Sequence, residues 1–231
     1  MKTVIIGLGE VGQALKAILN PHYLVFTNDI KDQSVYYPDD VGIMHVCFPY
    51  SESFIQDVKN YQQKYNPKYT VVHSTVPVGT SSRLNAIHSP IRGLHPNLES
   101  GIRTFVKFIG GEHASEVADY FRRVGLRVCL FEKAETTEAL KLFDTLQYGI
   151  SIEIAKEVYK FCQDNSLNFH EVYTLGNQTY NEGYANLGHP EFIRPVLQPI
   201  MKKVGGHCIL NNAKLLNTEF TKFLNNLNEK Y

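Results

Sequence analysis

Four stretches of this sequence combine residue types and spacing that can do chemistry. The first is Lys2-Thr3-Val4-Ile5-Ile6-Gly7-Leu8-Gly9-Glu10-Val11-Gly12, an apolar run that ends in a Gly-x-Gly-x-x-Gly turn. Gly7 suits a tight turn, Gly9 lets backbone approach a pyrophosphate, and Gly12 lets a following helix lie close to the strand. A phosphate would then sit at the helix N-terminus, where the first N–H groups and the dipole favour an anion. The second stretch is Ser74-Thr75-Val76-Pro77-Val78-Gly79-Thr80, where a strand ends in hydroxyls and a Pro/Gly turn; it reads as a ligand-facing loop or as a hydroxyl-capped turn. The third places Lys141, Thr145 and Tyr148 on one helix face. Such a lysine is a solvated charge, or else a partly desolvated cation able to stabilise an oxyanion or exchange a proton. The fourth is Val204-Gly205-Gly206-His207-Cys208-Ile209, in which two glycines allow close backbone approach and His207 can lower the thiol pKa; taken alone, Cys208 reads as an inert buried thiol.

The glycine turn gains meaning from its neighbours. A second strand, Tyr23-Leu24-Val25-Phe26, leads into Thr27-Asn28-Asp29, and Asp29 lies 22 residues after Gly7. An acid there accepts from a ribose 2′-hydroxyl, although a turn residue before Lys31-Asp32 is the simpler alternative. No arginine follows Asp29, so the pattern favours NAD over NADP. The cofactor-facing set is therefore Gly7, Leu8, Gly9, Glu10, Val11, Gly12 and Asp29, with Phe48 and Pro49 after the third strand and Ser74 and Thr75 after the fourth.

Residues 1–133 alternate short apolar runs with helical patterns, as expected of a doubly wound parallel sheet of the Rossmann type. Further strands are predicted at Gly42–Pro49, Tyr69–Thr75, Ile91–Leu94, Phe105–Gly110 and Leu126–Leu130, with a helix over Ser53–Tyr65 that buries Phe54, Val58 and Tyr61. Cys47 and Cys129 fall inside apolar strands and read as small core residues. From residue 134 the composition changes. No proline occurs between Asn97 and His189, and Gly149 is the only glycine between Glu135 and Asn165. Apolar residues recur at Ala139, Leu142, Phe143, Leu146, Ile150, Ile154, Val158 and Phe161, which predicts one helix roughly 45 Å long. The expected architecture is an α/β cofactor domain, 1–133, followed by a smaller all-helical domain, 134–231, led by this helix and used for dimerisation and substrate binding. The remainder, broken by Pro190, Pro195 and Pro199, ends in a polar amphipathic segment from Asn217.

The 231 residues carry 23 Lys plus Arg and 23 Asp plus Glu, so no global field draws nucleic acid or a membrane. No apolar run reaches the length of a membrane span and the first strand begins at residue 2, so the expectation is a cytoplasmic protein without a signal peptide. The four cysteines lack C-x-x-C spacing, which argues against a zinc site and a secreted disulfide framework.

Taken together and in this order, the stretches resemble the UDP-glucose/UDP-N-acetylmannosamine (nucleotide-sugar) 6-dehydrogenases. Ser74–Thr80 is similar to the loop after the fourth strand of that family's cofactor domain, Thr136-Thr137-Glu138-Ala139-Leu140-Lys141-Leu142 to the start of its central helix, and Gly205–Ile209 to its nucleophile loop. The resemblance implies an NAD-dependent oxidation of a CH–OH group, or its reverse, with Cys208 as thiol nucleophile, Lys141 as oxyanion-stabilising cation and Thr75 positioning water. Arg194 then corresponds to an arginine lent to a partner's site, and the protein to a homodimer joined through the long helix. The sequence departs from the family pattern in places. The family's acid after a proline falls on Asn97, with Glu99 two residues on as a substitute. The asparagine one turn after the lysine is Thr145, and the aspartate four after the cysteine is Asn212. Only 23 residues follow Cys208, so the nucleotide-binding third domain is expected to be missing and the substrate to be a smaller sugar or hydroxy acid. Two other readings stay open: a NAD-binding sensor or subunit with reduced catalysis, and a hydroxyacid dehydrogenase that uses Lys141 as acid/base.

Overall fold

The computed structural model describes residues 1–31, 38–204 and 209–230. The chain forms two compact units, Met1–Lys141 and Leu142–Tyr231, divided within one long helix.

The first unit runs β1 (Lys2–Ile6), α1 (Glu10–Leu19), β2 (Leu24–Asn28), β3 (Val41–Val46), α2 (Phe54–Tyr65), β4 (Tyr69–Val72), a 3-10 turn (Ser82–Leu84), β5 (Ile87–His88), α3 (Leu98–Thr104), β6 (Lys107–Gly110), α4 (Ala114–Arg123) and β7 (Val128–Phe131). The first turns of α5 (Ala134–Asp164) complete it. The strands form one sheet in the order β2-β1-β3-β4-β5-β6-β7. Because β1 lies inside the sheet and both faces are covered, its residues are apolar on both sides. Ile5 packs on one face with Leu15, Ile18, Val71, Ile109 and Phe121. Val4 and Ile6 pack on the other with Met44, Phe54, Val58 and Val72. The architecture is a Rossmann-type α/β sheet followed by a smaller helical unit.

Three sequence expectations need correction. Ile91–Leu94 is not a strand: the fifth strand is the two-residue β5, paired in parallel with β4, and the chain leaves the sheet at Pro90. Pro90 has no N–H to donate to a ladder, which ends the pairing there. The sheet is not parallel throughout, because β5 pairs antiparallel with β6, and β6 then pairs in parallel with β7. At 1.5 Å per residue, α3 spans only about 10 Å, too short to carry the chain back along the sheet for a parallel crossover. The chain therefore re-enters at the edge it left and runs the other way. Cys129 is exposed rather than in the core, since β7 is an edge strand with Cys129 and Leu130 open to solvent. Cys47, just past β3, is part-buried against the core of the α1 and α4 face.

The second unit contains the rest of α5, a π-helical turn (His170–Leu175), α6 (Gly176–Asn186), a 3-10 turn (Pro190–Phe192), α7 (Ile209–Lys214) and α8 (Glu219–Asn228). Its small core gathers Leu146, Val204, Ile209, Ala213 and Leu224. Gly149 makes that packing feasible, because a Cβ there would stand 2.7 Å from Ile209 Cγ2. Thr218 caps α8 by accepting from the Thr221 N–H. The long helix does not bury its whole apolar stripe in this chain: Phe143, Ile154 and Phe161 are exposed, whereas Glu153 and Lys156 are buried as an ion pair at 2.8 Å.

Phe121 is fully buried between α4 and the sheet. Phe121→Ala is expected to lower the unfolding free energy by about 3–5 kcal/mol, seen as a lower urea midpoint by circular dichroism.

Candidate functional site

The carboxyl edge of the parallel strands gathers most of the residues singled out in the first unit. Gly7 has φ +91°, a left-handed conformation, and a Cβ there would stand 3.0 Å from the Phe48 backbone nitrogen. Gly12 is more constrained, because its Cβ would lie 1.9 Å from the Gly7 carbonyl oxygen. Gly9 differs from both. Its φ of −64° suits any residue, and nothing lies within 4 Å of where its Cβ would be. Neither backbone strain nor packing requires glycine there, so the space left open above it is room for a ligand.

α1 begins at Glu10 with no side-chain cap at Gly9, so its first N–H groups have no intrahelical acceptor. Asp29 at the end of β2 reaches back to this turn. Its Oδ2 accepts from the Leu8 N–H at 2.6 Å and its Oδ1 from the Lys31 N–H at 3.0 Å. These bonds hold the carboxyl below the ordinary aspartate value, and an ionised carboxylate keeps lone pairs for a further donor. Uncapped N–H groups, an open Gly9 and an ionised acid at the next strand end suit the diphosphate and ribose of a dinucleotide. Val11 follows Glu10 in the first turn of α1, and Glu10 pairs with His95, which the segment before α3 brings to the turn.

Beyond β3, the Phe48 ring packs on Phe54 and Tyr61, with ring centroids 5.0 and 6.1 Å apart, and Pro49 follows it. The Ser74 hydroxyl donates to the Phe48 carbonyl at 2.5 Å, which ties the two loops together. β4 ends at Val72, so Ser74 and part-buried Thr75 lie in the loop rather than in the strand. That loop has a fastener the sequence reading missed. Glu138, fully buried on α5, accepts from the Gly79 N–H at 2.6 Å and the Ser81 N–H at 2.8 Å. Burial nevertheless raises its carboxyl above the ordinary value. The sequence signal was an acid three residues before Lys141, one turn earlier on the same side of the helix.

Glu99, in the first turn of α3, is engaged with Arg103 at 3.0 Å in a half-exposed pair, and Asn97 precedes that helix. Lys141 and Thr145 occupy successive turns of α5, with Tyr148 exposed one turn on. In the second unit, the Asn212 amide donates to the Thr145 hydroxyl at 3.3 Å, so two of the residues that depart from the family pattern meet. Arg194 is exposed, with its guanidinium 3.6 Å from the centroid of the Tyr180 ring and its backbone clamped by the Asn181 side chain. Gly205, Gly206, His207 and Cys208 lie outside the described residues, and with them the expected nucleophile.

Polar residues that sequence reasoning passed over lie beneath the same edge. His45, His73 and Lys107 are buried on the α1 and α4 face in hydrogen-bonded contact. Their signal was a titratable side chain within each of three otherwise apolar runs. Among the described residues, no group of three or more His, Cys, Asp or Glu side chains is arranged to hold a metal ion, and no helix is long and apolar enough to cross a membrane.

No protein-family model and no curated protein sequence matches the chain. Solved structures do match in fold. The UDP-D-ManNAc dehydrogenase of Pyrococcus horikoshii superposes with a TM-score of 0.81 at 17% identity, covering 100% of this chain and 68% of that one. A UDP-glucose dehydrogenase from the hyperthermophilic archaeon Pyrobaculum islandicum gives 0.69 at 14% identity, covering 99% and 68%. The 3-hydroxyisobutyrate dehydrogenase of Mycobacterium tuberculosis, solved with L-serine, gives 0.71 at 12% identity, covering 99% and 92%. These three neighbours in fold are dehydrogenases, two of UDP-sugars and one of 3-hydroxyisobutyrate.

The two glycines separate fold from ligand. Gly12→Ala is expected to cost about 1–3 kcal/mol of stability through overpacking. Gly9→Ala is expected to change stability by less than about 0.5 kcal/mol while weakening nicotinamide-dinucleotide binding at least tenfold. Urea titration and calorimetry read the two effects separately.

Proposed function

We propose that this chain is an NAD-dependent dehydrogenase acting on a CH–OH group, related to the nucleotide-sugar 6-dehydrogenases. The observation that carries the reading is the glycine turn. Its middle glycine is free of any folding requirement, its helix opens without a cap, and an ionised Asp29 stands at the adjacent strand end. On this reading residues 1–133 bind the cofactor, with Gly7–Gly12 and Asp29 on its diphosphate and ribose and Phe48, Pro49, Ser74 and Thr75 beside them. NAD is favoured over NADP because an acid ends β2 and no arginine follows it. Bound NAD supplies the hydride acceptor.

The chemistry assigned to the chain is a covalent route. The alcohol gives up a hydride and a proton and becomes an aldehyde. The Cys208 thiolate adds to the aldehyde carbon, and the Lys141 ammonium steadies the resulting oxyanion. Loss of a second hydride, to a second NAD that has replaced the first after its release as NADH, leaves a thioester, and water, oriented by Thr75 and the Thr145–Asn212 pair with Glu99 in place of the family's acid, hydrolyses it to the carboxylate and returns the Cys208 thiol. Residues 134–231 form the dimerisation and substrate unit. A homodimer through α5 is supported by the apolar side chains of Phe143, Ile154 and Phe161, which this chain leaves exposed, and Arg194 would serve the partner's site.

A second reading, a hydroxyacid dehydrogenase with Lys141 as acid/base and Cys208 idle, is supported by the likeness in fold to the 3-hydroxyisobutyrate dehydrogenase, at a TM-score of 0.71.

Calorimetry with NAD, NADH and NADPH, followed by absorbance of the NAD mixture with nucleotide sugars, sugars and hydroxy acids, tests both. Tight NAD binding with reduced-nicotinamide formation is the expected result. Cys208→Ser should then cut turnover more than about 100-fold on the thiol route and leave a lysine-based route largely intact. Binding without turnover on any substrate points to a sensor or subunit, and absence of nicotinamide binding overturns the assignment.

A further inference from the structure

A chain of buried polar groups crosses the α1 and α4 face of the first unit. Thr3 donates its hydroxyl proton to the Ile43 carbonyl at 2.9 Å, and the Tyr120 hydroxyl lies 3.3 Å from Thr3 Oγ1 and 3.1 Å from His45 Nε2. His45 Nδ1 and His73 Nε2 are 2.9 Å apart, and His73 Nδ1 lies 2.7 Å from the Ser89 carbonyl. Lys107 closes the chain. Its Nζ donates to the Ser89 carbonyl at 2.8 Å and the Pro90 carbonyl at 3.2 Å, and stands 3.3 Å from His73 Nδ1.

Among the described residues, Lys107 faces His45 and the Cys47 thiol from the end of β3, His73 from just past β4, His88 from β5, and from α4 the Phe121 ring, whose centroid is 5.5 Å from Nζ, with Tyr120 joined to the same chain through His45. Lys141 on α5 adds a second positive charge. Among the described residues no carboxylate pairs with Lys107, which is 4% exposed. Burial keeps these neighbours uncharged: His45 and His88 are pushed down to about 3, and the Cys47 thiol up to about 12.

The hydrogen-bond directions conflict with a charged lysine as well. At 2.7 Å from a carbonyl, His73 Nδ1 must carry its proton and donate to Ser89. A protonated Nζ then meets an N–H at 3.3 Å, donor against donor, whereas a neutral amine offers that N–H its lone pair.

We propose that Lys107 is a proton switch built into the fold of the first unit, which loosens when the ammonium forms and tightens when the amine is neutral. Burial, which the Cys47 thiol offsets only in part and the Lys141 charge adds to, brings the Lys107 pKa down to about 7. An unfolded lysine titrates near 10.4. Between these values the unfolded chain holds the proton and the folded chain does not, so stability rises with pH. The buried histidines act in the same sense, mostly below about pH 7. Cys47 and Tyr120, both raised by burial, act in the opposite sense, the thiol from about pH 8.5 and the phenol from about pH 10. The largest change between about pH 7 and 8.5 therefore belongs to Lys107. The inference concerns the first unit alone and stands whether or not the protein binds NAD.

Urea denaturation of the full chain at pH 7.0, 7.5, 8.0 and 8.5 tests it, comparing wild type with Lys107→Met. The wild-type folded-to-unfolded ratio is expected to rise about tenfold across that interval, with a parallel rise in midpoint. Lys107→Met is expected to have a higher midpoint at pH 7 and a much shallower profile, since only the tails of the histidine and Cys47 titrations remain. Equal slopes in the two proteins would overturn the switch. Should the variant not fold, carbon-13 NMR of ε-labelled lysines in the wild type decides instead. One resonance titrating near neutral pH supports the proposal, and all of them titrating near pH 10 defeats it.

Discussion

The fit of α1 against the turn that precedes it is the constraint on which the first unit depends. A single methyl group at Gly12 would overlap the Gly7 carbonyl at 1.9 Å. Its absence lets the helix seat low enough for Leu15 and Ile18 to share a buried cluster with Ile5 of the central strand. The same seating aims the start of α1, which Gly9 leaves without a side-chain cap, at the carboxyl edge of the sheet, where the helix dipole and the first N–H groups act together. Packing and anion affinity thus arise from one local geometry. Gly9, which packing does not constrain, stands apart within the same motif.

Two carboxylates organise the loops around that edge. Asp29 holds the glycine turn through the Leu8 N–H, and Glu138 holds the hydroxyl-bearing loop through the N–H groups of Gly79 and Ser81. Charge-assisted bonds to backbone are stronger than neutral ones and fix main chain rather than side chains. The two acids differ in what they leave available. Half-buried Asp29 stays ionised and can accept another donor, whereas Glu138 is wholly buried and serves as a clamp. The position of the clamp on α5, one turn before Lys141, ties the loop to the helix that carries the proposed oxyanion cation.

The fold was largely legible in the sequence because the hydrophobic pattern states it directly. β1 and β3 read as apolar runs, α2 as a periodic amphipathic segment, and α5 as an uninterrupted helix, each for reasons of local propensity and period. The errors fell where local pattern carries little information. Ile91 is buried, so an apolar run was present, but Pro90 had already ended the ladder. Cys129 lies in an apolar run, but that run is an edge strand with an open face. Neither burial against solvent nor the direction of β6 is written in a window of five residues.

The sequence by itself determined the glycine turn, the acid 22 residues later, the alternation of strand and helix, and the long proline-free helix, because each depends on steric rules and periodicities within short segments. Tertiary structure decided what meets what. It brought Asn212 to Thr145, Glu138 to the loop at Gly79, and Lys107 to His73. Those contacts span between 34 and 67 residues of chain. They are fixed by the register of the sheet and the close seating of the helices, which no local stretch of sequence encodes.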